Sequence, residues 1–386
     1  MFKLKVIKDI SVCGKRVLIR VDFNIPFTNT KIDKSELWKL EAVIPTLKYL
    51  IKKEARIILI THLGRSKEKV VKELRLDPIA KKLEYLLKRK VRKIDCVIGK
   101  RAQEAVNKMR SGDILMLENV RFCPEEEKNS TKFAKELAKL GDVFINEAFA
   151  VSHRKHASIT GVPKYLPAAA GMLFEKEIKE LNKILHKPKR PLVIIIGGAK
   201  IITKIKIIKK SLERADKLLL GGALADTIFA AKGLGLGKSL VEKGMFKIVN
   251  DLDMDNSKLE LPVDFVCQDL EISIKGINAV KKNESVFDIG PRTVGLFLES
   301  IKKAKTIVWN GPLGLIEKEP FDRGSEFIAR AIAKSRAYSI VGGGDTAAFI
   351  KKLKLEKKIN YISTGGGAML EYLANETLPG IEVLRK

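Results

Sequence analysis

The chain has 386 residues, of which 45% are hydrophobic and 31% are charged, and its formal net charge is +28. This length favours two domains, and the composition is that of a globular protein rather than a disordered one. The longest apolar runs are too short to cross a bilayer, and the first residues lack the features of a secretion signal. We therefore expect a cytoplasmic protein without a membrane partner.

The four cysteines, Cys13, Cys96, Cys123 and Cys267, are scattered and form no CxxC pair. Their spacing argues against a disulfide framework or a zinc site and is typical of a reducing compartment. The lysines are also spread along the chain, and no basic stripe interleaved with aromatic residues is present. We attribute the charge to solvated helix faces and expect no nucleic-acid partner, but the charge keeps a nucleic-acid-binding protein open as an alternative.

Short β-branched segments alternate with amphipathic segments, which is typical of βα units and parallel sheets. Strands are predicted at residues 17–21, 56–61, 114–117, 143–146, 192–196, 217–220, 306–309, 339–341 and 361–363. Helices are predicted at residues 78–90, 132–140 and 174–187, where apolar residues recur at three- and four-residue spacing. The expected fold class is α/β, with two doubly wound, Rossmann-like parallel sheets.

The helix predicted at residues 174–187 runs into the sequence HKPKRP, whose prolines interrupt helical structure before the next strand. We therefore predict that residues 171–187 form a bridging helix. It would join an N-terminal domain, residues 1–170, to a C-terminal domain, residues 188–369.

Polar and glycine-rich motifs follow the predicted strands: VDFN, THLGR, LENVRF, NEAF, IGGAK, LGGA, WNGP, GGGDT and STGGG. In open parallel sheets the ligand crevice lies beyond the carboxyl ends of the strands. Two sheets with such loops predict two half-sites that face one another across a cleft.

The strand-end loops of the first half are rich in cationic and polar side chains, namely Asp22, Asn24, His62, Arg65, Arg121, His153 and Arg154. Arginine binds carboxylate or phosphate in a bidentate way that lysine does not match, so several arginines at strand ends predict an anion site. Asp22 can bind a substrate hydroxyl group or orient an arginine. His153 and His156 lack a carboxylate or cysteine at metal-ligand spacing, so anion binding is favoured over a metal site, and His186 is expected at a helix end.

In the second half, IGGAK lies between an apolar strand and a helix that we expect to begin near Ile201. Lys200 and Lys204 would then share its first turn, where lysine opposes the helix dipole unless an anion is bound. In GGGDT, Asp345 can hold the magnesium ion of a nucleotide or cap its helix, and Glu317 can hold a ribose hydroxyl group. Neither a complete P-loop nor a GxGxxG fingerprint is present, which argues against a P-loop protein and a dinucleotide dehydrogenase.

In chain order, RVDFNIP, HLGR, LENVRF, NEAFAVSHRKHAS, GGAKIITK, WNGPLGLIE, GGGDTAA and STGGGAMLEYL resemble the motifs of phosphoglycerate kinases. The resemblance runs from Arg20 to about Leu384, and so long an ordered series is far more specific than one glycine motif. It implies a deep cleft between two doubly wound domains, and a segment at about residues 370–386 that packs on the N-terminal domain. It also implies reversible phosphoryl transfer between ATP and the carboxylate of 3-phosphoglycerate, giving ADP and 1,3-bisphosphoglycerate, in a Mg²⁺-dependent monomer.

The resemblance carries roles to particular residues. Those implied for 3-phosphoglycerate are Asp22, Phe23, Asn24, Lys39, His62, Leu63, Gly64, Arg65, Arg121 and Arg154. Those implied for the Mg-nucleotide are Lys200, Lys204, Gly222, Asn310, Glu317, Gly343, Gly344, Asp345 and Thr346, with Asp345 nearest the metal. Lys39 and Lys204 would be the catalytic residues.

The sequence departs from the family pattern where an arginine is usual and Lys39 stands instead. Lysine keeps the charge but loses the planar fork, which raises the alternative of an impaired homologue that binds nucleotide without efficient turnover. Glu147, Ala150 and Ile202 replace the usual Asp, Gly and Ser, and we expect these changes to be tolerated.

The implied reaction needs no general base, because the attacking carboxylate is ionised at neutral pH, with a pKa near ~4. It needs positioning, exclusion of water and positive charge around the transferring group. Since the two substrates would bind to different domains, we predict closure about a hinge near the bridging helix.

Overall fold

The computed structural model describes residues 3–25, 27–28, 31–32, 36–66, 69–202, 204–253 and 255–385. Contacts divide the chain into two units. Unit 1 comprises Met1–Leu181 and Asn375–Lys386, and unit 2 comprises Asn182–Ala374. That the predicted segments 1–170 and 188–369 fold as separate domains stays a prediction.

Unit 1 is built on a parallel sheet. Its strands are β1 (Arg16–Arg20), β2 (Phe27–Thr28), β3 (Lys31–Ile32), β4 (Arg56–Ile60), β5 (Val91–Lys93), β6 (Ile114–Met116), β7 (Val143–Asn146) and β8 (Ala168–Ala170). Six of them form a parallel sheet in the order β5-β6-β4-β1-β7-β8, and β2 and β3 form a separate antiparallel pair.

The helices of the N-terminal part of the chain are α1 (Trp38–Lys52), α2 (Asp77–Leu87), α3 (Lys100–Asn107), α4 (Pro124–Glu127), α5 (Thr131–Ala138) and α6 (Met172–His186). Alternate strand residues such as Val17 and Ile57 are buried with Leu40, Leu47 and Ile79 of α1 and α2 in one hydrophobic core. Apolar residues at every second position of the strands and at every third or fourth position of the helices therefore pack together in a single apolar layer.

Unit 2 contains a second parallel sheet, also of six strands, and a small antiparallel sheet. Its strands are β9 (Leu192–Ile196), β10 (Lys217–Leu220), β11 (Leu259–Glu260), β12 (Asp264–Gln268), β13 (Ile272–Gly276), β14 (Ser285–Ile289), β15 (Thr306–Asn310), β16 (Tyr338–Gly342) and β17 (Tyr361–Ser363). The parallel sheet has the order β11-β10-β9-β15-β16-β17, and β13-β12-β14 form a small antiparallel sheet that the sequence analysis did not predict.

The remaining helices are α7 (Ile205–Arg214), α8 (Ala223–Ala231), α9 (Phe246–Asn250), α10 (Pro291–Lys303), α11 (Arg323–Lys334), α12 (Gly344–Lys352), α13 (Gly366–Asn375) and α14 (Pro379–Glu382). Val193, Ile195 and Trp309 of the central strands are buried with Phe297 of α10 and Ile328 of α11. At the end of the chain, the backbone N–H of Lys5 donates to the carbonyl oxygen of Leu384 at 2.9 Å, so this segment belongs to unit 1. In the described part of the chain, every helix is too short or too polar to span a lipid bilayer.

The strand order explains where a ligand can bind. In unit 1 the chain leaves β1 for β4 on one side and reaches β7 on the other, and in unit 2 β9 has β10 and β15 on its two sides. This change of direction confirms the expected doubly wound α/β class. It also places a crevice at the carboxyl ends of β1 and β7 in unit 1, and of β9 and β15 in unit 2.

One predicted boundary is wrong. The helix expected to begin near Ile201 begins at Ile205, so Lys200 and Lys204 do not share its first turn. The chain after β9 is held against the next strand instead: the N–H of Gly197 donates to the oxygen of Asn310 at 2.9 Å, and that of Gly198 to Pro312 at 2.7 Å. These bonds hold residues 197 and 198 against β15 and the residues just after it, and the N–H of Ile205 then donates to the oxygen of Ile201 at 2.9 Å in a turn that precedes the regular helix.

Candidate functional site

The crevice of unit 1 is centred on a buried arginine at the end of β1. Arg20 is 1% exposed, and its Nε donates to the hydroxyl of Ser158 at 2.9 Å. Its Nη2 lies 3.1 Å from Nδ1 of His62, which follows β4. Because a guanidinium has no acceptor, Nδ1 of His62 accepts this bond and the ring proton lies on Nε2. His62 is therefore a neutral hydrogen-bond donor at the floor of the crevice.

Electrostatics keeps the three histidines of this region neutral. Burial, followed by the charges of Arg20 and Arg121, lowers the pKa of His62 well below its usual value. Burial and the charge of Arg154 lower the pKa of His153 and of His156 to about 4. At neutral pH these rings add hydrogen-bonding groups, while the arginines supply the positive charge.

Arg121 lies on a short 3-10 helix after β6 and binds the loop that follows β4. Its Nη1 donates to the carbonyl oxygen of Gly64 at 2.7 Å, and its Nε forms an ion pair with Glu127 at 3.2 Å. Burial lowers the pKa of Arg121 to about 10, which leaves it charged at neutral pH. Gly64 has a φ of +62°, and a Cβ there would lie 2.6 Å from the side chain of Leu74, so a larger residue would displace this loop.

The loop after β1 is joined to the same loop after β4. The side-chain oxygen of Asn24 accepts from the N–H of Gly64 at 2.8 Å, and the N–H of Phe23 donates to the hydroxyl of Thr61 at 3.0 Å. Asp22 Oδ1 lies 3.6 Å from Nδ1 of His62. Phe23 is fully buried, so its side chain packs in the core and only its backbone is near the crevice.

Three further cations border this region. Lys39, in the first turn of α1, forms an ion pair with Glu36, and its Nζ donates to the carbonyl oxygen of Asn24 at 3.5 Å. Nε of Arg154 donates to Nε2 of His153 at 3.4 Å. Arg65 follows Gly64 and is exposed.

The carboxyl ends of β9 and β15 in unit 2 interlock through glycines. A Cβ on Gly197 would lie 2.1 Å from the carbonyl oxygen of Pro312, and one on Gly311 would lie 2.3 Å from the oxygen of Gly197. Gly222, the N-cap of α8, has a φ of +68°, and a Cβ there would lie 3.0 Å from backbone atoms of Gly198 and Pro312. Backbone groups therefore converge here at a distance that only glycine permits, next to the start of a helix.

Lys204 occupies the centre of these loops. Its Nζ donates to the carbonyl oxygen of Gly197, and it lies 2.9 Å from the position that a Cβ on Gly311 would take. Burial lowers the pKa of Lys204 to about 8, although the charge of Asp345 opposes this shift. A largely desolvated ammonium group among these glycine loops is arranged to bind an anion.

The GGGDT loop completes this half-site. Nδ2 of Asn310 donates to the oxygen of Gly342 at 2.9 Å, and the N–H of Gly311 donates to the hydroxyl of Thr346 at 2.9 Å. Helix α12 has Gly343 as its N-cap, so Asp345 lies in the first turn and does not occupy the cap position. Asp345 is exposed and can offer a carboxylate to a metal ion.

A cavity of about 730 Å³ opens beside these loops. Its polar end includes Gly198, Gly222 and Asp345, and Glu317 also lines it. Its walls are apolar, formed by Leu240, Val241, Pro262, Phe265, Leu313 and Leu315. A polar end joined to apolar walls suits a phosphorylated ligand that carries a flat base.

The comparisons with known proteins agree with this architecture. The phosphoglycerate kinase family model matches residues 7–376. The phosphoglycerate kinase of Pelotomaculum thermopropionicum is 43% identical over 389 residues, and the match covers 98% of each chain. That of Dictyoglomus turgidum is 45% identical over 390 residues, also with 98% of each chain covered.

The chain belongs to the phosphoglycerate kinase family. It is therefore a phosphotransferase. Among solved structures, the phosphoglycerate kinase of Pyrococcus horikoshii is 34% identical and superposes with a TM-score of 0.87, covering 100% of this chain and 98% of that one. The enzyme of Coxiella burnetii is 38% identical and gives a TM-score of 0.82 over 99% of each chain.

Within this phosphoglycerate kinase fold, the residues named from sequence lie at the carboxyl ends of sheet strands, in the loops that follow them or, like Lys39 and Thr346, in the first turn of a helix. Arg121 and Arg154 both act on His62 electrostatically, whereas the exposed side chain of Arg65 has no ion pair with another described residue. Lys200 is exposed and lies outside α7. The assignment of each residue to a substrate stays a prediction.

Sequence analysis missed several residues that shape the half-sites. Arg20 was named only as the first residue of the RVDFNIP motif, and the amide of Asn119, which holds Leu63 through two hydrogen bonds, was not singled out. Asp226, a buried carboxyl in the wall of the cavity of about 730 Å³, was also overlooked. For Arg20 and Asp226, the sequence signal was a charged residue inside an otherwise apolar strand or helix.

The structure also locates the departures from the family pattern. Glu147 is buried and accepts from the N–H groups of Leu173 at 3.1 Å and Phe174 at 3.2 Å, at the start of α6. Ala150 lies in a 3-10 helix, and Ile202 is 59% exposed. Glu147 therefore has a structural role, stabilising the N-terminal end of α6.

One group of potential metal ligands was found in the described part of the chain, and it lies outside both half-sites. Asp77, Asp95 and Glu118 converge, but all three contact Nζ of Lys93, at 3.0, 2.5 and 2.6 Å. The ammonium group of Lys93 takes the central position. This cluster is therefore an ion-pair network.

Proposed function

We propose that this enzyme transfers a phosphoryl group reversibly between ATP and the carboxylate of 3-phosphoglycerate, giving ADP and 1,3-bisphosphoglycerate. The observation that carries the proposal is the pairing, in one chain of this family, of an arginine-rich crevice in unit 1 with a glycine-lined cavity around Lys204 in unit 2. An acidic, phosphorylated acceptor suits the first, and a nucleotide suits the second.

In unit 1, the proposal assigns the phosphate of 3-phosphoglycerate to arginines. Arg121 and Arg154, with Arg65, would bind it through charge-assisted hydrogen bonds, which are about twice as strong as neutral ones. The neutral ring of His62 would donate through Nε2. Asp22 and Asn24 would receive the hydroxyl group of the substrate, and the backbone of Phe23, Leu63 and Gly64 would fix the loops around it.

In unit 2, the proposal assigns the phosphates of the nucleotide to the glycine loops and Lys204. Gly343, Gly344 and Thr346 would contribute the start of α12, where backbone N–H groups and the helix dipole favour negative charge. Asn310, Gly222 and Lys200 would complete the phosphate end, and Glu317 would hold a ribose hydroxyl group. Asp345 would hold Mg²⁺, which supplies positive charge to the phosphate oxygens when it is bound.

The residues present account for this chemistry without a general base. The acceptor is a carboxylate that is ionised at neutral pH, so the protein has to position it, exclude water and stabilise charge on the transferring group. Lys204 would provide that charge in unit 2, and Lys39 would provide it in unit 1. The closure predicted from sequence stays a prediction, and small-angle scattering with both substrates would test it by a decrease in the radius of gyration.

The alternative of an impaired homologue rests on Lys39 alone, and neither the fold nor the comparisons support it. Lys39 keeps a positive charge at the start of α1, within reach of the loop that carries Asn24. We therefore expect Lys39→Arg to change kcat by less than about tenfold, because the charge is conserved and only the planar fork differs.

A coupled assay tests the proposed function. ADP formation is measured with 3-phosphoglycerate and MgATP, and again with each of the three components omitted. We expect turnover only when all are present, in wild type and in Lys39→Arg. Nucleotide binding without turnover in wild type, with turnover restored in Lys39→Arg, would instead establish the impaired homologue.

A further inference from the structure

Asp226 is a buried carboxyl group in the wall of the nucleotide cavity that the proposed mechanism does not use. It lies in the first turn of α8, is 3% exposed, and lines the cavity of about 730 Å³. It is one helical turn, about 6 Å, beyond Gly222 at the phosphate end. The hydroxyl of the next residue, Thr227, accepts from the N–H of Glu242 at 3.1 Å, which joins α8 to the segment with Leu240 and Val241, and both of these residues line the same cavity as Asp226. Asp226 is therefore at the apolar part of the cavity.

The carboxyl group of Asp226 has no hydrogen bond to any residue that the structure describes. Asp288, which lines the same cavity from β14, differs in this respect. Its two oxygens accept from the N–H of Ile289 at 2.9 Å and that of Gly324 at 2.7 Å. Backbone N–H groups thus satisfy the hydrogen-bonding capacity of Asp288. The carboxyl group of Asp226 is directed at the cavity, where a ligand can form hydrogen bonds with it.

The surroundings of Asp226 favour its neutral form. Burial raises the pKa of Asp226 to about 8. The titratable groups that face it or line the same cavity are Lys238, Lys243, Cys267, Asp288, Glu317 and Asp345. Burial raises the pKa of Cys267 to about 12, so that thiol is neutral, and burial raises the pKa of Asp288 to about 7. At neutral pH Asp226 presents one O–H donor and one carbonyl acceptor.

We propose that Asp226 reads the base of the nucleotide, and that its protonated form selects adenine. This inference rests on the proposed function. A carboxylic acid offers a donor beside an acceptor, which complements the 6-amino group of adenine and the adjacent ring nitrogen. A carboxylate offers two acceptors, which complement the ring N–H and the 2-amino group of guanine. Deprotonation of Asp226 therefore shifts the preference from adenine towards guanine.

The experiment measures kcat/KM for MgATP and MgGTP at saturating 3-phosphoglycerate between about pH 6.5 and pH 9.5, a window that brackets the pKa of Asp226. In wild type, we expect the ratio of the ATP value to the GTP value to fall by about tenfold as Asp226 ionises, the discrimination of one bidentate base contact. Asp226→Asn keeps a donor and an acceptor that do not titrate. It should prefer ATP at every pH, with a flat ratio.

Asp226→Leu fills the position without hydrogen-bonding groups, and its ATP-to-GTP ratio should fall about tenfold at pH 7. Asp251→Asn is the matched control, because Asp251 is exposed and outside the cavity, and its profile should follow wild type. Asp288 titrates in the same window but is present in every variant, so a slope that disappears in Asp226→Asn belongs to Asp226.

Two different results overturn two different claims. A ratio that does not change with pH in wild type, together with a wild-type ratio in Asp226→Leu, would overturn the role of Asp226 while leaving the kinase intact. If Asp226→Leu does not fold, the wild-type and Asp226→Asn profiles decide the same question. Absence of turnover with either nucleotide in wild type would overturn the proposed function itself.

Discussion

The two half-sites differ in what forms them: side chains in unit 1 and backbone groups in unit 2. In unit 1 the crevice is made of side chains: Arg20 is hydrogen-bonded to His62, and Arg121 to the loop that follows β4. In unit 2 the polar end of the cavity is made of backbone, where Gly197 and Gly311 allow the segments after β9 and β15 to interlock beside the ammonium group of Lys204. A site made of side chains tolerates changes in the backbone but depends on the planar guanidinium group of each arginine. A backbone site depends on the absence of side chains.

The largest effect is expected from adding one methyl group to the backbone site. In Gly197→Ala the new Cβ would lie 2.1 Å from the carbonyl oxygen of Pro312, a backbone atom just after β15 that cannot move away cheaply. We expect the free energy of unfolding of unit 2 to fall by more than about 3 kcal/mol, and nucleotide binding to be lost. Denaturant unfolding and calorimetry with MgADP measure both. Gly235→Ala is the control, because nothing lies within 4 Å of a Cβ there; equal stability of the two variants would contradict the interlock.

Removing the ammonium group of unit 2 should impair chemistry more than binding. Lys204→Met is expected to lower kcat by about 10²–10³-fold, the usual cost of removing one group that stabilises charge in the transition state. The affinity for MgADP should change much less. Lys206→Met, two residues further along and exposed, should retain wild-type kcat. A Lys204→Met enzyme with wild-type kcat would show that the backbone groups suffice.

In the side-chain site, the shape of a cation should matter as well as its charge. Arg121→Lys keeps the charge but loses the fork that reaches both Gly64 and an anion. We expect KM for 3-phosphoglycerate to rise about tenfold and KM for MgATP to stay unchanged. Arg110→Lys, on the surface of the same unit, is the control. An equal rise in both KM values would mean that Arg121 does not belong to one half-site.

The last effect changes stability rather than activity and is confined to unit 1. Burial raises the pKa of Glu147 to about 7, from an ordinary value of 4.5. The folded state therefore holds a proton that the unfolded state has lost, so this group makes stability fall as pH rises from about 4.5 to 7, by roughly 3 kcal/mol. Glu147→Gln should remove that slope in urea unfolding measured at several pH values, whereas the exposed Glu104→Gln should keep it. A steeper slope in Glu147→Gln would reverse the assignment.

The sequence predicted the parallel sheets because each central strand is a short apolar segment followed by a polar or glycine-rich motif. Strands 143–146, 192–196, 217–220 and 361–363 agree with the structure at both ends. The antiparallel strands β12, β13 and β14 were missed, because exposed positions alternate with half-buried ones in β13 and no long apolar run marks them. Strand order and the switch points also depend on which strands pair, which local sequence does not encode.

The sequence predicted the cationic residues of the site more completely than the contacts that hold them in place. Arginines at strand ends are visible in sequence, but the burial of Arg20 depends on Ser158, 138 residues away. The start of α7 was placed too early because helical spacing continues back to Ile201, whereas the regular helix begins only at Ile205, after the turn in which Ile205 donates to Ile201. Asp226 was overlooked because a carboxyl in a helix is ordinary until its burial is known.

The central claim is that unit 1 binds 3-phosphoglycerate and unit 2 binds the nucleotide. Crossed calorimetric titrations of Arg154→Met and Asp345→Asn test it most directly. We predict that Arg154→Met binds 3-phosphoglycerate at least about tenfold more weakly while its affinity for MgADP stays at the wild-type value, and that Asp345→Asn shows the reverse. Loss of MgADP binding in Arg154→Met, with 3-phosphoglycerate binding retained, would contradict the assignment.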